Sequence, residues 1–554
     1  MPRMAILIRS IGILWIGMAT LNGCMSNSTF SSLAGNSVLP ADRSASKAPM
    51  ESIAAERSLK TAVSTLAPGQ VPAVVSPEPV ANSSNMSFVS TESKASVPTG
   101  PRSTASVPDL GHIYGRTAQS DDRDRNPIIV IPGVLGSRLI DEQTGQVVWG
   151  EFGGDSLNPA SARGAQLLAL RMKSGTPLAS LTNRVKPAGT LDALDVQLFG
   201  IPFQINAYHD LLTTLGVGGY RDDQTPQGEI HYADQSYSSF QFAYDWRRDN
   251  VENARLLHQF ILEKKAYVEA ERHERHGKDF EPVRFDIVAH SMGGLIARYY
   301  LEYGDADLPE DGTAPTVTWA GAKHVSRLVM IATPNAGSLD ALAHLVQGET
   351  LSRFLPRYES AILGTMPALY QLLPRTRQRP IVAEGDRRHV DIMDPRIWQQ
   401  FRWGLMDPRQ QIVLRDLLPG ISDPNVRQQV AYDHLTKCLN RAQAFHQALD
   451  VPAKPPAGTS IHLIAGDAHP TSTQFRVDYR GGLTVTAWQP GDGRVSRPSA
   501  LMDERYSVGV KWTPRLVSPI AWSNVHFLFA DHLGLTRDPG FTDNILFLLL
   551  ESPR

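Results

Sequence analysis

The stretch at 285–300, which reads FDIVAHSMGGLIARYY, constrains the fold more than any other part of this chain. Its first residues form an apolar run typical of a buried strand, and apolar residues recur at helical spacing after two glycines. The residues between them, AHSMG at 289–293, match the turn of a G-x-S-x-G nucleophile elbow, with Ala289 in place of the first glycine. Because such a sharp turn lifts the serine hydroxyl out of the sheet, we predict Ser291 as a nucleophile. The amide of Met292 would then donate to the oxyanion of the intermediate.

The composition is that of a globular protein. The chain has 554 residues, of which 42% are hydrophobic, enough for one large α/β domain with insertions or for two domains. Its formal net charge of −2 offers no basic field to a nucleic-acid backbone, so nucleic acid is excluded as a partner. The sequence contains no HExxH, CxxC or phosphate-loop motif, so we expect neither a metal nor an organic cofactor.

The N-terminal segment has the features of a bacterial secretory signal. Two arginines precede an apolar run at 11–21 that is too short to span a bilayer, and the run ends in LNGC at 21–24. This ending resembles a lipobox, in which the cysteine becomes lipidated and begins the mature protein. We therefore predict a signal peptide at 1–24 and a lipid anchor on Cys24, the alternative being an ordinary cleaved signal with an incidental cysteine.

The residues after Cys24 indicate which membrane would hold the anchor and which part of the chain is disordered. Met25 stands where an aspartate would resemble an inner-membrane retention signal, which favours anchoring in the outer membrane of the cell envelope, facing the periplasm. Residues 25–126 are rich in Ser, Ala and Pro without sustained periodicity and predict a disordered tether. Cys438 is the only other cysteine, so no disulfide is expected once Cys24 is acylated.

From residue 127 onward, apolar strand-like runs alternate with helical patterns, which predicts a parallel sheet with right-handed crossovers. The strand-like runs lie at 127–131, 240–244, 285–288, 325–333, 461–465 and 525–529. A long helix is expected to follow Asp249 or Asn250 as its N-cap, and a final helix is expected at about 539–550. The helical stretch at about 339–454 interrupts the alternation. It predicts a cap above the strand ends, where the active site of such a sheet lies.

Loops at the strand ends carry the remaining candidates. The first strand is followed by PGVLGS, a glycine-bracketed loop that could turn the amide of Val134 towards the serine, although a plain strand-ending turn would read the same. His532 follows the last strand, where the base of a serine nucleophile belongs, whereas its rival His526 lies within that strand. Asp467 and Asp492 both satisfy the chain order Ser, Asp, His, and the residues alone leave the choice of acid open.

Six blocks, taken together and in order, resemble the signature blocks of the lecithin:cholesterol acyltransferase family. They are IIVIPGVLGSRL, FAYDWRRD, VAHSMGGLIARYYL, IATPNAGS, MPALYQLLP and GDGRVSRPSAL, scattered over about 127–550. The resemblance implies an α/β-hydrolase fold with a mostly parallel central sheet, helices on both faces, a helical cap insertion and a serine triad. It assigns the acid to Asp492, in a block where the family has Gly-Asp-Gly-Thr-Val and this chain has Arg494 instead of the threonine. It also maps the oxyanion amides to Val134 and Met292.

The resemblance implies the chemistry as well. Family members are acyltransferases and lysosomal phospholipases, so the domain at 127–554 is expected to be a serine-dependent lipid acyl hydrolase or O-acyltransferase. It would take an acyl chain from a glycerophospholipid-like donor, as a phospholipase A does, and pass it through an acyl-enzyme to water or a lipid alcohol. A carboxylesterase for small soluble esters and a non-catalytic lipid-binding envelope protein are the alternatives. Trp246 and the cap residues Leu369 and Tyr370 are candidate pocket residues, although each suits a buried core position equally well.

Overall fold

The computed structural model describes most of the chain beyond residue 124. The described residues are 114–115, 117–118, 125–151, 157–191, 195–198, 201–204, 206–224, 236–278, 280–350 and 357–551. The predicted signal peptide, Cys24 and nearly all of the predicted tether lie outside them. In this described part of the chain, no helix is long and apolar enough to cross a bilayer.

The strands divide between one central sheet and several small ones. In chain order they are β1 (Ile128–Ile131), β2 (Ser137–Asp141), β3 (Val147–Trp149), β4 (Val185–Thr190), β5 (Asp195–Leu198), β6 (Ile201–Gln204), β7 (Ser239–Gln241), β8 (Phe285–His290), β9 (Val325–Ile331), β10 (Glu349–Thr350), β11 (Arg357–Tyr358), β12 (Ile381–Ala383), β13 (Ser460–Gly466), β14 (His469–Val477), β15 (Leu483–Gly491) and β16 (Asn524–Leu528). The central sheet has the order β16-β13-β9-β8-β1-β7, and each neighbouring pair in it is parallel. The predicted parallel sheet is confirmed.

Helices cover both faces of this sheet. In chain order they are α1 (Ala162–Leu168), α2 (Asn206–Val217), α3 (Asn250–His276), α4 (Met292–Tyr303), α5 (Leu339–Gln347), α6 (Ser360–Leu363), α7 (Pro367–Gln371), α8 (Pro395–Phe401), α9 (Gln411–Leu417), α10 (Pro424–Leu449), α11 (Arg497–Leu501) and α12 (Pro539–Leu546), which a π-helical turn at Phe547–Glu551 extends. Ile129 and Ile287 belong to a core cluster that includes residues of α3 and α4, whereas Val130 and Val288 belong to one that includes residues of α2 and α12. The strands are therefore apolar on both sides, which is why they read as continuous apolar runs.

The sequence predicted the ends of some of these elements correctly and of others incorrectly. Helix α3 begins where the sequence predicted, and Asp249 is its N-cap, because the carboxylate accepts an amide hydrogen of the first turn. The strand predicted at 240–244 is shorter, since β7 ends at Gln241. The Phe242 amide still donates to the Val130 carbonyl of β1 at 2.9 Å, but the amide of Tyr244 donates to the Ser137 hydroxyl at 3.0 Å.

The predicted cap at 339–454 is mostly helical and contains α5 to α10. Between β13 and Asp492 the structure adds an antiparallel hairpin, formed by β14 and β15, that the sequence patterns did not predict. Strand β12 of the cap pairs in parallel with β14, so the cap and the hairpin share a small three-stranded sheet.

Contacts of the domain begin ahead of residue 127. Tyr114 is buried, and its hydroxyl donates to Asp543 Oδ1 on α12 at 3.0 Å. The Arg125 guanidinium lies over the Tyr220 ring, 5.2 Å from its centroid. Both residues fall within the predicted tether, so at least Tyr114 and Arg125 of its C-terminal end pack on the domain.

Candidate active site

The predicted elbow is present at the end of β8. The strand is buried along its whole length and ends at His290, Ser291 has φ 51° and ψ −124°, and α4 begins at Met292. A positive φ is uncommon for serine and costs roughly 1–3 kcal/mol, so neighbouring structure must hold the turn. The Ser291 amide donates to the carbonyl of Ile331 at 2.8 Å, which ties the turn to the adjacent strand β9.

Two glycines let the first turn of α4 pack against neighbouring loops. A Cβ on Gly293 would lie 2.4 Å from the carbonyl oxygen of Pro132, and a Cβ on Gly294 would lie 2.0 Å from Thr333 Oγ1. Both distances are far shorter than a van der Waals contact, so only glycine permits this approach. The elbow is thereby held between the loop after β1 and the loop after β9.

The structure brings the three predicted triad side chains together. His532 Nε2 lies 3.2 Å from Ser291 Oγ, and His532 Nδ1 lies 2.8 Å from Asp492 Oδ2. The His532 amide also donates to the Asp492 carbonyl oxygen at 3.0 Å, so both backbone and ring are fixed to the same residue. When the carboxylate accepts the Nδ1 proton, Nε2 carries a lone pair and can accept the proton of the Ser291 hydroxyl.

The turn after β15 orients Asp492. Its Oδ1 accepts the amide hydrogens of Arg494 and Val495 at 2.9 and 2.6 Å, which leaves Oδ2 to face His532. The Arg494 side chain, which stands where the family has threonine, points elsewhere and donates to Asp340 Oδ2 at 2.8 Å. This departure from the family block therefore leaves the Asp492 carboxylate undisturbed.

The rival residues have other partners. Asp467 accepts from the Arg497 guanidinium at 2.9 Å in a partly exposed ion pair. His526 lies inside β16, in register with Ile464 of β13, and burial lowers its pKa. The geometry favours the residues that follow the strands, Asp492 and His532, over these two.

The loop after β1, residues 132–136, lies directly against the elbow and is called the β1 loop below. A Cβ on Gly133 would lie 2.9 Å from Ser291 Cβ, so the loop touches the serine one residue before Val134. Met292 is the first residue of α4, where amides lack an acceptor within the helix and the helix dipole favours negative charge. Within the described residues neither amide donates a hydrogen bond, so both can serve an oxyanion.

Two further buried residues, Tyr208 and His290, lie behind the serine. The Gly133 amide donates to the Tyr208 hydroxyl at 2.7 Å, and this hydroxyl lies 3.1 Å from His290 Nδ1. His290 Nε2 lies 3.3 Å from the carbonyl oxygen of His532. Sequence patterns did not single out either residue, although His290 stands in the elbow itself. Tyr208 lies in a stretch without an interpretable motif.

The three candidate pocket residues lie in the closed core. Trp246 is 2% exposed, and its indole N–H donates to the carbonyl of Ser137 at 3.2 Å. Leu369 and Tyr370 are buried on the short helix α7, and the Tyr370 hydroxyl donates to the Gly364 carbonyl at 2.9 Å. Helical spacing indicates a face that avoids water but does not tell a dry core from a lipid groove. All three residues belong to the main hydrophobic core cluster, and their role in a pocket stays a prediction.

Part of the chain matches a family model. The model of lecithin:cholesterol acyltransferase matches residues 201–398, a segment that contains Ser291 and the first part of the cap. This segment is lecithin:cholesterol acyltransferase-like. The resemblance carried by the sequence blocks is thereby confirmed for it, and the match supports a lipid-acting hydrolase or acyltransferase. Asp492 and His532 lie beyond the lecithin:cholesterol acyltransferase-like segment, and their assignment rests on the hydrogen bonds that join Ser291 to His532 and His532 to Asp492.

Two solved structures are similar to the chain. The crystal structure of a Tle4–Tli4 complex aligns over 77% of this chain and 99% of that chain, with 17% identity and a TM-score of 0.47. Lipase 1 from Pelosinus fermentans aligns over 78% of this chain and 100% of that chain, with 14% identity and a TM-score of 0.30. Since both TM-scores are below 0.5, the fold assignment rests on the strand order and connections described above. None of the curated protein sequences matches.

Proposed function

We propose that the protein is a serine-dependent lipid acyl hydrolase or O-acyltransferase that works through an acyl-enzyme. The observation that carries the proposal is the buried chain from Ser291 Oγ through His532 to Asp492, with contacts of 3.2 and 2.8 Å. A serine hydroxyl is a weak nucleophile by itself, and this chain supplies both a base and the carboxylate that orients it. The amides of Val134 and Met292, which directly follow Gly133 and Ser291 in the chain, are the proposed donors to the oxyanion.

The arrangement supports a two-step acyl transfer. Ser291 Oγ attacks the ester carbonyl while His532 Nε2 takes the hydroxyl proton, and the two amides stabilise the oxyanion. When the intermediate collapses, the bond to the alcohol breaks, the alcohol leaves with the proton from His532, and the acyl group stays on Ser291. Water or a lipid alcohol then gives its proton to His532 and attacks the acyl-enzyme, which releases the product and restores the serine.

The family match supports a glycerophospholipid-like ester as the acyl donor rather than a small soluble ester. The test is to incubate the purified full chain with mixed phospholipids, with and without a sterol, and to identify the products by mass spectrometry. Lysophospholipid with free fatty acid would identify a hydrolase, and sterol ester would identify a transferase. If a parallel assay with a short soluble ester gave product while the phospholipids stayed intact, the protein would be a carboxylesterase instead.

The Ser291→Ala variant is the control for this experiment. It should keep the fold and lose nearly all activity, because loss of a triad member costs several orders of magnitude. A fluorophosphonate should label the wild type at Ser291 and leave the variant unlabelled. Labelling that persists in Ser291→Ala would show that another residue is the nucleophile.

We also propose that Cys24 is lipidated and anchors the protein to the outer membrane, facing the periplasm. The support is the apolar run that ends in LNGC at 21–24. Metabolic labelling with a palmitate analogue should tag the wild type, and Cys24→Ala should abolish the tag. Recovery of untagged wild-type protein from the soluble periplasm would contradict the anchor.

A further inference from the structure

We infer that Tyr208 and His290 are positioning residues that hold the β1 loop and the backbone of His532 in register on either side of Ser291. The inference rests on the proposed function and concerns how its site is kept aligned. A continuous series of hydrogen bonds carries it. The series runs from the Gly133 amide through the Tyr208 hydroxyl and the His290 ring to the His532 carbonyl, over 2.7, 3.1 and 3.3 Å.

The direction of each hydrogen bond in this series follows from its two ends, because the Gly133 amide can only donate and the His532 carbonyl can only accept. His290 Nε2 must therefore carry the proton that it donates to the His532 carbonyl, and Nδ1 of the neutral ring is an acceptor. The Tyr208 hydroxyl accepts the Gly133 amide hydrogen and donates its own proton to Nδ1. Burial, with a smaller contribution from His532, lowers the pKa of His290 to about 3, so the ring is neutral near pH 7. Every member of the series is satisfied, and such a network specifies one geometry.

The two ends of the series are the parts of the site that most need external support. Gly133 directly precedes the Val134 amide, and His532 carries the base, yet both lie in loops rather than in a strand or helix. A Cβ on Gly133 would lie 3.3 Å from His290 Nδ1, so the β1 loop rests on the ring itself. Misplacement of a reacting group by about 1 Å can cost about a hundredfold in rate. A histidine that only filled space would not need one ring nitrogen bonded to the His532 loop and the other bonded, through Tyr208, to the β1 loop.

Two single variants break the series at different links. Tyr208→Phe removes the hydroxyl, and His290→Asn keeps an acceptor near the Nδ1 position but cannot reach the His532 carbonyl. Each should lower kcat about tenfold, the effect of one lost buried hydrogen bond, with KM within about twofold of the wild type. Fluorophosphonate labelling at Ser291 should slow by the same factor. Because the links act in series, the double variant should be no slower than the slower single variant.

Tyr244→Phe is the matched control. Tyr244 is also buried, and its hydroxyl donates to the Pro132 carbonyl of the same loop at 2.9 Å, but this contact lies outside the series. It should lose about as much thermal stability as Tyr208→Phe and keep kcat within about twofold, because only the loop carbonyl is released. An equal kcat loss in Tyr244→Phe, or additive losses in the double variant, would overturn the positioning role. Wild-type protein that neither hydrolyses lipid nor reacts with the fluorophosphonate would overturn the proposed function itself.

Discussion

Replacing Asp492 by asparagine tests the triad by changing a single group. In the wild type, Oδ1 accepts the amide hydrogens of Arg494 and Val495 while Oδ2 faces His532 Nδ1. Because those two amides can only donate, the asparagine oxygen will take the place of Oδ1 and its NH2 group will face Nδ1. An NH2 group only donates, so Nδ1 must become the acceptor and the ring proton must move to Nε2. His532 then presents a proton to Ser291 Oγ and cannot remove one.

The expected loss is large because the wrong tautomer disables the base outright. The same exchange in the serine-protease triad lowers kcat about 10⁴-fold, which corresponds to about 5 kcal/mol of transition-state free energy. Asparagine has nearly the same shape and keeps both amide contacts, so the thermal midpoint should shift by only a few degrees. Hydrolysis of a fluorogenic ester, the rate of fluorophosphonate labelling and a thermal melt together separate loss of catalysis from loss of fold.

Asp467→Asn is the control, because Asp467 is the other carboxylate that satisfies the chain order. It forms a partly exposed ion pair with Arg497, and such a pair contributes at most about 1 kcal/mol. The variant should therefore keep kcat within about twofold of the wild type. A larger loss in Asp467→Asn than in Asp492→Asn would refute the assignment. So would an Asp492→Asn variant that keeps more than about a tenth of the wild-type kcat at an unchanged thermal midpoint.

Two further variants test the packing of the cap. Leu369→Asp should lower the thermal midpoint strongly, because it buries an unpaired carboxylate. It should also slow the hydrolysis of phospholipid vesicles and of a short ester to the same extent. Slowing confined to vesicles would indicate that Leu369 lines the acyl groove. Burial raises the pKa of Asp450, but Arg375 and Arg377 outweigh it and lower the pKa from 3.8 to about 2. Because the folded-state pKa is depressed, this stabilisation is complete above about pH 4 and is lost as the pH falls through about 2. Asp450→Asn should therefore have a lower free energy of unfolding than the wild type in denaturant titrations at pH 7. The difference in free energy between the two proteins should shrink between pH 4 and pH 2, and a difference that stays constant would contradict the ion-pair argument.

The central sheet was predictable because burial on both faces leaves a direct trace in the sequence. All four residues of β1 and all six of β8 are buried, and both strands read as nearly unbroken apolar runs. The same rule placed the end of β7 too late, because Phe242 and Tyr244 are buried although they lie beyond the last residue of the strand. Apolar content records burial, and it does not record which neighbour the backbone pairs with.

The choice between Asp467 and Asp492 as the triad acid could not be made from the chain order Ser, Asp, His. The hairpin of β14 and β15 leaves the sheet after Asp467 and returns at Asp492, and His469 pairs with Gly491 across its open end. Two aspartates that are far apart in sequence are thus brought to the same end of the hairpin, so spacing alone could not separate them. A signal was present, because Leu483, Val485 and Ala487 alternate in burial with exposed neighbours along β15. That alternation predicts a strand, but not the partner that brings Asp492 back to the site.

Tyr208 marks the same limit for the residues behind the site. It lies three positions before Leu211 and seven before Leu215, and all three are buried, so helical spacing predicts that α2 turns this side inward. The spacing says nothing of what the hydroxyl meets, because His290 lies 82 positions away and the contact depends on how α2 packs beside the β1 loop. Leu369 satisfied an equally good pattern and met only the core. Periodicity therefore identifies the inward face of a helix. The role of a buried polar group such as the Tyr208 hydroxyl follows instead from its two hydrogen-bond partners, which only the tertiary structure shows. Each of these hydrogen bonds can be tested by its own variant.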